Sequence, residues 1–148
     1  MKIIVQRVKS ANVKIKNSIV GQIKQGILAF IGINNSDTID KIEWSVNKLA
    51  NLRIFDDENG VMNKSLLDIN GEILLVSNFT LYGNTKKGFR PSYIDAAPSI
   101  ISQPLYEQFV NTFKKQYGSK IKTTEGIFGA MMDVELINDG PVTLIIEK

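Results

Sequence analysis

Valine and isoleucine recur in short runs cut by glycine, and this rhythm restricts the chain to a β-rich architecture. Residues 2–8 and 12–16 are rich in Val and Ile with partial alternation. Runs at 19–23 and 27–33 follow, punctuated by Gly21, Gly26 and Gly32, which predicts a meander of short strands. After Asn34-Asn35-Ser36-Asp37 the period changes. Ile39, Ile42, Val46 and Leu49 recur at helical spacing behind a capping candidate at Asp37 or Thr38, with Trp44 off the stripe. Residues 72–76 predict a buried strand. Pro104 then begins a second amphipathic helix, with Leu105, Phe109 and Phe113 on one face, Tyr106, Val110 and Tyr117 beside them, and Gly118 as its C′ residue. Strands at 121–123, 132–137 and 142–146 close the chain. The reading is one α+β domain over residues 1–148, largely antiparallel, with two amphipathic helices laid on the sheets. Periodicity leaves open whether the sheets close into a barrel-like shape.

Two absences bound the chemistry. The chain has no histidine and no cysteine, which excludes disulfides, thiolate nucleophiles, Cys/His zinc sites and Ser-His-Asp triads. Acid–base work must come from Asp, Glu, Lys or Tyr, from oriented backbone, or from the substrate. The net charge of +3 is mild. Lys86, Lys87 and Arg90 form one basic group, and Lys114, Lys115, Lys120 and Lys122 a second; such groups suit phosphate or RNA as well as plain solvation. No apolar run reaches the roughly 18 residues of a membrane span, so no membrane partner is expected. The first eight residues read as a strand and not as a signal peptide, so the expected location is cytoplasmic. Asp56-Asp57-Glu58-Asn59-Gly60 is too compact for an EF-hand and reads as a solvated turn.

Two segments hold candidate chemistry. Ser77, Asn78, Phe79 and Thr80 follow an apolar strand, where side chains and freed amides often face a pocket. They offer hydroxyls, a carboxamide and backbone N–H groups suited to an oxyanion; hydroxyls satisfying the next turn are the plainer reading. No base lies between Ser77 and Thr80, so covalent attack by Thr80 is poorly supported. Asn138-Asp139-Gly140-Pro141-Val142-Thr143 reads locally as a hairpin turn between strands 134–137 and 142–146.

Five motifs in order carry a family resemblance. The run from Asn51 to Asp68 resembles the central signature of the D-aminoacyl-tRNA deacylases. Ser77-Asn78-Phe79-Thr80-Leu81-Tyr82-Gly83 is similar to that family's Ser-Gln-Phe-Thr-Leu-Tyr-Gly, and Gly88-Phe89-Arg90-Pro91-Ser92-Tyr93 to its Gly-x-Arg-Pro-Ser-Phe loop. Phe128-Gly129-Ala130 and the 138–143 segment complete the set, and Val5-Gln6-Arg7-Val8 matches at the N-terminus.

The resemblance implies a barrel-like α+β fold and a homodimeric hydrolase of the ester between a D-amino acid and the terminal adenosine of tRNA. It implies a cis Gly140–Pro141 bond reaching into the partner subunit's site, where the two carbonyls exclude an L-side chain and tolerate glycine, so glycyl-tRNA is also expected to be cleaved. Ser77, Asn78, Phe79 and Thr80 are the implied catalytic segment. Phe128, Gly129 and Ala130 shape the adenosine pocket, Arg7 braces the Gly-Pro loop, and Phe89 and Pro91 contact substrate. No metal or cofactor is expected; the substrate's vicinal ribose hydroxyl assists cleavage.

One departure stands out. Asn78 occupies the usual Gln position, one methylene shorter. It favours a competing reading, an RNA-binding module without turnover. A second alternative is an interaction protein in which Gly140-Pro141 is only a turn.

Overall fold

A computed structural model describes residues 1–148. Its spine is β1 (Lys2–Ile15), a single strand where the sequence predicts two. At its far end Lys16 and Asn17 both adopt positive φ, 47° and 66°, the geometry that lets a two-residue turn follow the twist of its strands. The chain then returns along β1. First β2 (Ser18–Ile23) pairs antiparallel with residues 11–15, and then β3 (Gly26–Gly32) pairs with residues 2–8. The other edge of β1 is covered over nearly its whole length by β8 (Asp133–Glu147), also antiparallel.

Helices interrupt this meander and change the sheet's character. α1 (Ile39–Asn51) and a short β4 (Phe55–Asp56) and β5 (Met62–Lys64) hairpin separate β3 from β6 (Glu72–Ser77). α2 (Ser99–Tyr117) separates β6 from β7 (Lys122–Glu125). A helix between strands permits parallel neighbours, and β3–β6 and β6–β7 are parallel. The sheet is therefore mixed, and its antiparallel character is concentrated on β1. It curls toward closure: a Cβ on Gly21 of β2 would lie 2.9 Å from Thr124 of β7.

The two sheet faces are packed differently. Ile3, Val5, Ile27, Ala29, Ile31 and Ile73 face the helices, meeting Ile42, Val46 and Leu49 of α1 and Phe109 and Phe113 of α2. Each of these Val, Leu, Ile and Phe side chains stabilises the fold by about 1.5–3 kcal/mol on burial. A smaller cluster of Val8, Ala11, Val13, Ile23, Leu28 and Leu74 fills the opposite face. Register shifts between Gln6 and Ser10 move the buried positions of β1 from one face to the other.

Several local expectations change. Ile39 is exposed at the start of α1. Thr38 is the N-cap without a capping side chain, because Asp37 instead accepts from the Asn34 N–H and from the Met1 ammonium. α2 starts five residues before Pro104, with Pro98 as N-cap. Pro104 deprives the Ile100 carbonyl of its helical donor, and both residues are exposed, so water can satisfy it. Gly118 ends α2 in the right-handed region (φ −62°), donating to the Lys114 carbonyl at 2.9 Å. The hairpin read at 138–143 is absent: β8 runs through it as one strand. No helix is long and apolar enough to cross a membrane.

Candidate functional site

β6 ends at Ser77, and the next residues turn sharply. Asn78 donates its N–H to the Ile31 carbonyl at 2.8 Å, extending the parallel ladder by one bond. Its side-chain oxygen accepts from the Thr80 N–H at 3.1 Å and the Thr80 hydroxyl at 2.5 Å. This Asx cap starts a 3₁₀ turn, Phe79–Tyr82. The cap engages two of the candidate groups. The Asn78 amide is committed to the sheet, and the Thr80 hydroxyl proton is committed to a carboxamide, which is no base. As first residue of the turn, Phe79 has no acceptor for its N–H inside it. That amide, the Ser77 hydroxyl and the Asn78 side-chain NH2 are donors with no acceptor inside the motif.

These residues form one wall of a cavity of about 800 Å³. Phe128, Gly129 and Ala130 form another, with the Phe128 ring 5.9 Å from buried Tyr106. Tyr93 meets Phe79 edge-to-face at 5.1 Å and closes a third side. Phe30, Val76 and Met132 line the apolar floor. Sequence reasoning missed Ser99 and Ser102, which border the cavity because α2 begins earlier than Pro104 suggests; Pro98-Ser99 was the available signal. The start of a long helix also directs its positive dipole end toward this space.

The most informative property of the lining is what it lacks. Of its twenty residues only Tyr93 is titratable; there is no Asp, Glu, Lys or Arg. Beneath it, burial pushes the Tyr106 hydroxyl well above the ordinary tyrosine value, and Glu125 adds to the effect. Tyr106 donates to the Leu75 carbonyl at 2.9 Å, a structural bond. Nowhere in the fold do three Asp or Glu residues gather as a metal site.

Segment 138–143 lies elsewhere. Gln6 opposes Thr143 and Val8 opposes Asn138, so Arg7 alone faces four residues, Asp139 to Val142, which bulge outward. The Asn138 side chain ties the bulge at its base, accepting from the Val142 N–H at 3.0 Å and donating to the Val142 carbonyl at 3.1 Å. Arg7 is buried behind it. Its Nε donates to the Asp139 carbonyl at 3.2 Å and lies 3.3 Å from the Asp139 carboxylate; its Nη1 donates to the Ile54 carbonyl at 2.7 Å. Gly140 has φ 124°, and a Cβ there would sit 3.1 Å from the Arg7 guanidinium. The Gly140–Pro141 peptide is cis, and both residues are exposed.

The structure therefore brings Ser77, Asn78, Phe79 and Thr80 together with Phe128, Gly129 and Ala130. It places Arg7, Gly140 and Pro141 outside this cavity of the same chain. Phe89 and Pro91 also lie outside it; Phe89 is fully exposed at the tip of a hairpin.

Comparison with known proteins agrees over the whole chain. A model of the D-Tyr-tRNA(Tyr) deacylase family matches residues 4–147. A protein of Thermosipho africanus named D-aminoacyl-tRNA deacylase is 52% identical, the match covering all of this chain and 97% of the relative. One of the same name from Exiguobacterium sibiricum is 49% identical over 100% of both. Among solved structures, a c-Myc DNA Unwinding Element Binding Protein superposes with TM-score 0.92 at 40% identity, covering 100% of this chain and 99% of the other. A probable eukaryotic D-amino acid tRNA deacylase shares the fold, with TM-score 0.80 at 17% identity over 98% and 97% of the two chains.

Proposed function

The chain belongs to the D-Tyr-tRNA(Tyr) deacylase family, and from that premise we propose that it hydrolyses the ester joining a D-amino acid to the terminal adenosine of tRNA. The products are tRNA and the free D-amino acid. The observation that carries the mechanism is the cavity lining, which is apolar, donor-bearing and devoid of acids and bases except Tyr93. A site of this kind can position an ester and stabilise an oxyanion, but it cannot supply a general base. Help must then come from the substrate, and the vicinal ribose hydroxyl of the terminal adenosine is the polar group beside the ester. It hydrogen-bonds the attacking water and relays its proton to the ribose oxygen that leaves, while the Phe79 N–H and the Ser77 hydroxyl stabilise the negative charge on the ester carbonyl oxygen. Thr80 supports the turn and forms no acyl-enzyme. Phe128, Gly129 and Ala130 hold the adenosine.

Chirality is read by Gly140 and Pro141 of the partner subunit. Their exposure on an outward bulge, away from the cavity of their own chain, supports a role in trans. The exposed Ile137 and Ile145 on the same strand offer apolar surface for a homodimer. The two carbonyls leave no room for an L-side chain, whereas a D-side chain points away and glycine has none. Glycyl-tRNA is accordingly a second substrate, and the cytoplasm is where the enzyme meets its tRNA.

The test is ester loss from D-tyrosyl-, L-tyrosyl- and glycyl-tRNA. Release from the D and glycyl forms with the L form intact is expected; an intact D form refutes the activity. Replacing the vicinal hydroxyl by hydrogen should slow cleavage at least 100-fold. A trapped acyl-enzyme would overturn the RNA-assisted route.

A further inference from the structure

The segment from Asn84 to Ser92 projects beside the cavity as a small closed hairpin. Asn84 and Ser92 exchange both backbone bonds, at 2.8 and 2.9 Å, and the Asn84 side chain accepts from the Lys86 N–H at 3.0 Å. Gly88 turns the tip at φ 65°. The hairpin's base is joined to the cavity, since Tyr93 packs on Gly83 and lines the opening. Phe89 at the tip exposes its whole ring, and Lys86, Lys87 and Arg90 around it are exposed and make no ion pair. No acidic residue lies within the hairpin. Three of the 18 lysines and arginines therefore sit within nine residues with no acid among them, which makes the tip locally cationic.

We infer that this hairpin clamps the single-stranded acceptor end of the tRNA, with Phe89 stacking on a base next to the terminal adenosine and Lys86, Lys87 and Arg90 contacting its phosphates. The inference rests on the deacylase reading of the neighbouring cavity and adds a binding site outside it. An aromatic ring interleaved with unpaired cations is what single-stranded RNA recognition requires: every base has a face to stack on, and the backbone between bases is anionic. A fully exposed phenyl ring has no such partner within its own chain. The bonded hairpin base holds the backbone that carries the ring, so little backbone ordering is needed on binding.

The experiment compares Phe89→Ala and the triple variant Lys86→Ala/Lys87→Ala/Arg90→Ala with wild type on two substrates, full-length D-aminoacyl-tRNA and the minimal D-aminoacyl ester of adenosine. The expected result is a loss in kcat/KM on tRNA that exceeds any loss on the minimal ester by on the order of 10- to 100-fold. Binding of an uncharged CCA-ended oligonucleotide should weaken by a similar factor without turnover. For the triple variant its log–log salt slope should fall by about 2, at roughly 0.7 per phosphate contact. Equal losses on both substrates, or unchanged oligonucleotide binding, overturn the clamp. So does a shift of Phe89→Ala from dimer to monomer in sedimentation, which would make the ring a subunit contact. Wild type inactive on both substrates would instead remove the deacylase reading itself, and the clamp with it.

Discussion

Replacing Arg7 with Met tests the link between the buried spine and the Gly140-Pro141 bulge. Methionine keeps an apolar stem of similar length but no donors. Two charge-assisted bonds disappear, to the Ile54 carbonyl at 2.7 Å and the Asp139 carbonyl at 3.2 Å. Bonds of this type contribute about 1.5–3 kcal/mol each. The Asp139 carboxylate keeps only Lys9 at 4.0 Å. The contact to half-exposed Asp56 is discounted for solvent screening. The expected destabilisation is therefore about 3–5 kcal/mol, within the range for breaking a buried charged network. At about 3 °C per kcal/mol for a chain of this size, the melting temperature should fall by roughly 10–15 °C. The fraction that remains folded should lose at least tenfold in kcat/KM on D-aminoacyl-tRNA and cleave L-aminoacyl-tRNA relatively better, because the bulge is no longer held against a fixed guanidinium. Arg7→Lys retains charge without the planar fork and should recover less than half of the stability. Urea titration and paired D/L ester assays measure both effects. A loss below about 1 kcal/mol with unchanged discrimination would refute the brace.

Three further outcomes are expected. Thr80→Ala removes a hydroxyl bonded only to Asn78, so most deacylation should persist at a stability cost of about 0.5–1 kcal/mol; loss of turnover beyond 100-fold would restore Thr80 as nucleophile. Gly26→Ala should cost about 3 kcal/mol or more, because the new Cβ would lie 1.8 Å from the Glu72 carbonyl and the β3–β6 ladder must part; a near-wild-type melting temperature contradicts this. Burial, then the nearby charges of Asp37 and Glu147, pushes Tyr82 up to about 12, and burial likewise raises Tyr106. Folded values above the ordinary 10 mean that the stability from these protonated phenols is complete below pH 10 and is lost as pH climbs toward 12. Urea midpoints should hold up to pH 10 and then fall, less steeply in Tyr106→Phe, and a slope identical in that variant would contradict the assignment.

Much of the fold was legible because the signals are local. The stripes Ile42-Val46-Leu49 and Phe109-Phe113 mark helices whatever surrounds them, and the unbroken run Ile73, Leu74, Leu75, Val76 marks a strand buried on both faces. The parallel pairing of that strand was not legible, since pairing depends on where the helices carry the chain. Segment 138–143 shows the opposite failure. Asn-Asp-Gly-Pro is turn chemistry, and only the long partner β1 reveals that the strand resumes in line beyond it. Tyr93, Ser99 and Ser102 became visible as cavity residues only in three dimensions: Pro98-Ser99 could mark a helix start, but no local signal says which space that start faces. Nor was the capping role of Asn78 legible, since it depends on the 3₁₀ turn that its side-chain oxygen starts.

The bulge on β8 is flanked by two ladder segments, each locked to β1 on its own. Val134 and Leu136 keep their places through pairing with residues 11–13, and Ile146 keeps its place opposite Ile3. Neither register depends on how many residues lie between Asn138 and Thr143. Lengthening or shortening the excursion at its tip thus changes how far it projects while both ladder registers stay in place. The reach of the tip and the two registers can therefore vary independently, provided that Asp139 still meets Arg7 and Asn138 still ties Val142.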